Sequence, residues 1–179
     1  MEREPLITLA SRTARRSVPA TAHDTFPVRS AHSGDAAALG ALSEPFVRSG
    51  ALCARPLSLY VEDSADFLVV DAPDGKLLGC LALRTHPASA DAGRAASGIL
   101  YNFCVTPCSQ GHGLGTKLLT AAMVRANFLS LKTLFTATTG SGELFRRHGF
   151  APAHVTAAPP AWVNSLSPER NSRILFRSL

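Results

Sequence analysis

No stretch of the chain is apolar for long enough to cross a bilayer, which takes about 20 consecutive residues, so no membrane association is expected. Charge is also sparse: Asp, Glu, Lys and Arg make up 17% of the sequence, and aromatic residues only 7%. Lys and Arg outnumber Asp and Glu by 18 to 13, but the basic residues are scattered and not interleaved with aromatics. Nucleic acid is therefore not the expected partner, and small anionic ligands account for the surplus. Cys53, Cys80, Cys104 and Cys108 contain no C-x-x-C pair. Cys104, Cys108 and His112 are evenly spaced, yet they lack the fourth ligand and tight pairing of a zinc site, so no metal is expected. Free thiols suit a reducing compartment, here the cytoplasm.

What remains is an ordinary globular composition, 46% apolar over 179 residues, enough for one domain with a real core. Residues 1–24 carry Pro, Ser, Thr, Ala and four arginines without apolar periodicity, and read as a disordered leader. Glu2 and Glu4 oppose a transit peptide, and the absence of an apolar h-region opposes secretion. The folded domain is expected over 25–179.

Within it, Phe26 to Ser30 reads as a short strand. Ser33 is the expected N-cap of a helix carrying Asp35 in its first turn and Leu39, Leu42 and Phe46 on one face. Pro45 should kink that helix or end its regular part, and Gly50 stops it. A second helical stretch runs from Leu57 to Asp63. Phe67 to Val70 and Leu77 to Leu83 flank Pro73-Asp74-Gly75, a hairpin signal. Pro87 to Ser97 reads as a loop and Ile99 to Val105 as a third strand, stopped by Pro107. Leu119, Ala122, Met123, Ala126 and Leu129 mark one face of a long helix. Thr133 to Thr138 is a strand, Ser141 to Arg147 a short helix broken at His148-Gly149, and Ser172 to Phe176 a final strand. Hairpin strands followed by helical crossovers imply a single α/β domain with a mixed sheet.

The sharpest chemical signal follows Val105. Gln110-Gly111-His112-Gly113-Leu114-Gly115-Thr116 opens the long helix with glycines at alternate positions. Glycine lets the backbone take positive φ and approach a ligand closely. The helix start adds unpaired N–H groups and a positive dipole end, which together make an anion site sized for a pyrophosphate. A Walker loop is excluded because Thr116 separates Gly115 from Lys117. A dinucleotide fingerprint is excluded because Thr116 and Leu118 stand where its last glycine would fall.

The pattern Gln110-x-x-Gly113-x-Gly115 after a strand resembles the GNAT superfamily of acetyltransferases. The resemblance implies a mixed, mostly antiparallel sheet flanked by helices, with acetyl-CoA as co-substrate. It implies that residues 110 to 116 hold the pyrophosphate and that backbone groups of Phe103, Cys104 and Val105 meet the pantetheine arm. Cys104 or Val105 would supply an oxyanion-stabilising N–H.

A narrower resemblance is to the acetyltransferase domain of the N-acetylglutamate synthase family. It rests on Glu44-Pro45-Phe46-Val47, Arg55, Gly79 to Arg84, Leu134-Phe135, Phe145 to Phe150 and Arg170-Asn171-Ser172-Arg173-Ile174-Leu175. It implies L-glutamate as acceptor in arginine biosynthesis, with Arg55 and Arg170 gripping its carboxylates, Ser172 adding a donor and Arg84 a further cation. Thr138 would assist the leaving thiolate. The family usually has a glutamate where this chain has Ile99, and no Asp or Glu lies between Asp91 and Glu143. Tyr101, on the same strand face as Ile99, is then a candidate for a water relay. Three readings stay open: acetylation of glutamate, acetylation of another small amine or a protein N-terminus, and a CoA-binding regulatory subunit impaired in catalysis. Self-association is left open as well.

Overall fold

The computed structural model describes residues 26–89 and 93–179. The expected leader lies outside the described residues. The strands are β1 (Val28–Ser30), β2 (Phe67–Asp71), β3 (Leu77–His86), β4 (Ser97–Val105), β5 (Thr133–Thr138), β6 (Ala151–Pro152) and β7 (Arg173–Ser178). The helices are α1 (Ala36–Arg48), α2 (Leu57–Glu62), α3 (Leu114–Phe128), α4 (Glu143–Arg147) and α5 (Pro160–Ser165). Among the described residues no helix is long and apolar enough to cross a membrane.

All seven strands form one sheet in the order β1-β2-β3-β4-β5-β7-β6. Every pairing is antiparallel except β4 with β5. The parallel pair follows from α3, because a helical crossover returns the chain to the same end of the sheet.

Alternation along the central strands divides the core between two faces. Leu81, Leu83 and Leu100 face α3, where Leu118, Leu119, Ala122 and Ala126 are fully buried. Cys80, Ala82 and Cys104 face α1 and α2, packing with Leu39, Leu42 and Tyr60. A smaller cluster joins Ile99, Phe135 and Ile174 to Trp162 of α5. Because β3 is covered on both faces, it reads as a continuous apolar run.

Several local expectations are corrected. His32, not Ser33, caps the first helical segment: its Nδ1 accepts from the Gly34 N–H while the Asp35 carboxylate accepts from the His32 N–H. A short 3-10 turn, Ser33–Asp35, carries the chain into α1. Pro45 sits inside α1, which runs on to Arg48. Proline forfeits one backbone bond there, and packing of Leu42 and Phe46 on either side retains the helix. Leu129 lies past the end of α3 and is exposed, so it leaves the apolar face. β6 and α5 had no periodic signal, being two and six residues long.

Candidate active site

The site begins where two strands part. β4 and β5 are in register from Ser97↔Thr133 to Leu100↔Thr136 and no further. Beside the parting, β4 carries a bulge against β3: Cys80 faces Cys104 and Ala82 faces Tyr101, so Asn102 and Phe103 together oppose Leu81. Asn102 takes φ +48°, a left-handed conformation that asparagine tolerates better than most residues. Its buried amide Nδ2 donates to Ser43 Oγ of α1 at 2.9 Å, while its Oδ1 has no hydrogen-bond partner.

Backbone alternation decides which groups of β4 are free. The Thr106 N–H donates to the Leu78 carbonyl on the β3 side. Two residues earlier, the Cys104 N–H has the same orientation, while the amides of Phe103 and Val105 face the gap. By this alternation the Cys104 N–H points toward β3, away from the gap. The Cys104 thiol is buried 3.5 Å from Cys80 Sγ, and that hydrogen bond, then burial, push the Cys80 thiol up from its ordinary pKa.

The glycine turn closes over this gap. Gln110 Nε2 donates to the Val105 carbonyl at 2.9 Å, tying the turn to the strand end. Gly111 and Gly113 have φ of +76° and +81°, with open space where a side chain would project. Gly113 is the N-cap of α3, so its neighbours' amides face outward at the positive end of a 15-residue helix. A cavity of about 460 Å³ is lined by Phe103, Cys104, Val105, Gln110 and the glycines, with Thr116 and Arg147 at its edge. His112 and Leu114 do not line it, and the Leu114 side chain turns into the core. These groups fit a diphosphate with an extended arm. Arg147, at the end of α4 and ion-paired with Glu143, was not foreseen; its signal was a basic residue in a helix's last turn.

A second cavity, about 370 Å³, opens on the other side of the bulge. Arg55, Arg84, Ile99, Tyr101, Arg170 and Ser172 all line it, which brings together residues from four distant parts of the chain. Arg84 is committed within the protein: it pairs with Asp63 and Asp66, and two carboxylates offset its charge. Its guanidinium also contacts the Tyr101 hydroxyl at 3.2 Å. The Tyr101 hydroxyl donates to Asp66 Oδ2 at 2.8 Å. Burial, and then the Asp66 charge, push that hydroxyl well above its ordinary pKa, so Tyr101 does not accept a proton near neutrality.

Arg55 and Arg170 differ from Arg84, because neither has an acidic partner among the described residues. The Arg55 guanidinium lies 4.7 Å from the Tyr101 ring centre, and Arg170 donates to the Ala51 carbonyl at 2.9 Å. Trp162 and Leu166 complete an apolar wall with Ile99. Thr138 is not brought in: it lines a separate cavity of about 300 Å³, and its hydroxyl accepts from the Gly140 N–H. Among the described residues no cluster of His, Cys, Asp and Glu is placed to hold a metal.

Parted parallel strands, a bulge beside the gap and a glycine turn opening a helix define a coenzyme-binding acyltransferase fold. Residues 63–152 match the acetyltransferase (GNAT) domain, half of the chain, and the protein belongs to that family. An amino-acid acetyltransferase of Neisseria meningitidis is 34% identical over 153 residues, covering 85% of this chain and 34% of the relative. That of Pseudomonas fluorescens is 34% identical over 152 residues, covering the same shares. The structure of N-acetylglutamate synthase from Neisseria gonorrhoeae, complexed with coenzyme A and N-acetyl-glutamate, superposes with a TM-score of 0.76. It is 32% identical, over 86% of this chain and 35% of that one. A Mycobacterium tuberculosis protein crystallised with CoA shares the fold, with a TM-score of 0.69 and 24% identity over 86% of this chain and 99% of that one. The chain spans about a third of the length of the curated relatives it matches.

Proposed function

We propose that the protein transfers the acetyl group of acetyl-CoA to the α-amino group of L-glutamate, the first step of arginine biosynthesis. The observation that carries this reading is the pairing of Arg55 and Arg170. Two guanidiniums without acidic partners among the described residues enter one cavity from segments far apart in the chain, beside the cavity that the glycine turn lines. A dicarboxylate amino acid supplies the two anions such a pair can neutralise, and arginine's planar fork orients each one. Ser172 adds a hydroxyl donor. The similarity to amino-acid acetyltransferases supports the same choice.

Acetyl-CoA supplies an activated thioester; the chain supplies its placement. Amides of the turn from Gln110 to Thr116 face the diphosphate. The free amides of Phe103 and Val105 hold the arm and polarise the carbonyl at the gap. Tyr101 acts as a platform: its ring holds Arg55 by a cation–π contact, and its hydroxyl is anchored by Asp66. Arg84 stiffens that platform instead of meeting substrate.

Thiol release from acetyl-CoA, measured with a panel of amines, tests the proposal. Glutamate should be the preferred acceptor, and Arg170→Ala should raise its KM by about 10- to 100-fold, the loss of one charged hydrogen bond. Turnover of another amine in preference to glutamate would refute the assignment. A second reading, CoA binding without turnover, is favoured by Ile99, since no carboxylate side chain among the described residues lines the cavity. Calorimetric acetyl-CoA binding with no thiol release on any amine would support it.

A further inference from the structure

An ammonium must lose a proton before its nitrogen can attack a thioester, so the acceptor cavity needs a base. Among the residues lining it, the titratable side chains are Cys53, Arg55, Arg84, His86, Tyr101 and Arg170. A guanidinium does not serve as a proton acceptor in water. Tyr101 gives its hydroxyl proton to a hydrogen bond with Asp66. Cys53 is exposed on the loop between α1 and α2. His86 remains.

His86 is the last residue of β3, and the register places it with the reacting face. Arg84 pairs with Ile99 and His86 with Ser97, so Arg84, His86, Ser97, Ile99 and Tyr101 share one side of the sheet. His86 is the diagonal cross-strand neighbour of Ile99, a separation of about 7 Å that a ring side chain can span. The imidazole is half-buried and makes no hydrogen bond or ion pair among the described residues, which leaves its ring nitrogens available to the cavity.

Resting on the glutamate reading, we propose that His86 is the general base of the reaction, accepting a proton from the acceptor ammonium directly or through one water. The freed lone pair forms the C–N bond at the thioester carbonyl and the C–S bond breaks. The second proton shed by that nitrogen balances the thiolate, which departs as the thiol, and His86 returns its proton to solvent. The electrostatic setting agrees. Desolvation first, and then the positive charge of Arg84, lower the imidazole pKa, so the ring is neutral at pH 7 and ready to accept. The other charged or titratable groups facing the cavity are Tyr101 from β4, Cys53 and Arg55 from the loop before α2, and Arg170 from the segment before β7. Asp63 and Asp66 face Arg84.

The experiment compares wild type with His86→Gln by kcat and KM from pH 5 to 9, using whichever amine the panel selects, with an NMR titration of the His86 ring alongside. Expected are an acid limb in the wild type with its midpoint below 6.5 and a kcat loss of about 10²- to 10⁴-fold in the variant. Acetyl-CoA affinity should be unchanged, the acid limb lost and activity partly restored by added imidazole. A variant that keeps kcat within about threefold and retains the wild-type pH profile overturns the proposal. So does a loss with neither a changed profile nor imidazole rescue, or a proton-acceptor signature that disappears in Cys53→Ser instead. The titration reads His86 independently of turnover: a ring pKa that does not match the midpoint of the acid limb in kcat/KM overturns the proposal whatever the acceptor. Failure of glutamate alone, with His86 dependence intact on another amine, overturns only the acceptor assignment.

Discussion

Thr136 Oγ1 donates to the Leu100 carbonyl at 3.1 Å, at the last register pair between β4 and β5. Beyond this tie the two strands separate, and the cavities lined by Arg170 and by the glycine turn open along the freed edge of β4. Thr136 is 3% exposed, so no water replaces the bond if it is lost.

Thr136→Val, nearly isosteric, should therefore destabilise the fold by about 1–3 kcal/mol, the cost of an unsatisfied buried carbonyl. Denaturant titration would measure it. The effect on KM for both substrates should exceed that of a surface substitution of equal stability cost, because the mouth of the gap loosens. A stability loss near zero would show that the strands part independently of this bond.

Two guanidiniums contact the Tyr101 ring, Arg55 at 4.7 Å and Arg84 at 5.0 Å from its centre. Tyr101→Phe keeps the ring but leaves Asp66 with Arg84 alone, and should cost about 1 kcal/mol of stability with little change in kcat. Tyr101→Leu removes the platform, and KM for glutamate should rise several-fold more than in the phenylalanine variant. Equal kinetics in the two variants would argue against the cation–π role.

Gly113 is left-handed at the N-cap of α3, and a methyl there meets no neighbouring atom. Gly113→Ala is thus a conformational test, not a steric one. It should cost about 1–2 kcal/mol in folding stability. Acetyl-CoA affinity, read by calorimetry, should fall in parallel as the amides turn away.

Arg29 bridges two carboxylates, Asp35 at 2.8 Å and Asp71 at 2.6 Å. The hydrogen bond from Arg29 lowers the Asp35 carboxyl from 3.8 to about 2. A depressed carboxylate stabilises the fold above its unfolded pKa and loses that contribution as pH falls through the folded one. The contribution, about 1–2 kcal/mol after allowance for the half-exposed arginine, should be complete above pH 5 and fade between about pH 4 and 2. Thermal melts of wild type and Asp35→Asn should converge across that window; a constant gap would remove the ion pair as its cause.

Much of this architecture is legible in the chain, for identifiable reasons. The glycine turn could be read because positive φ and a helix start are local demands that few residues meet. Arg55, Arg170 and Ser172 were reachable through likeness to a family. The contacts of Arg84 and Tyr101 with Asp63 and Asp66 were not legible, because no spacing rule connects these segments. Nor was the amide orientation of Cys104 legible, since it depends on which side of β4 holds β3.

The order of the longer elements, most of the apolar faces and the glycine turn were determined by the sequence alone, since each depends on residues within a few positions of one another. Tertiary structure decided which arginines remain uncompensated, where β4 leaves β5, and that His86 shares a cavity with Arg170. These outcomes depend on distances between segments far apart in the chain, and a charge or a backbone amide has no fixed role until its neighbours in space are known.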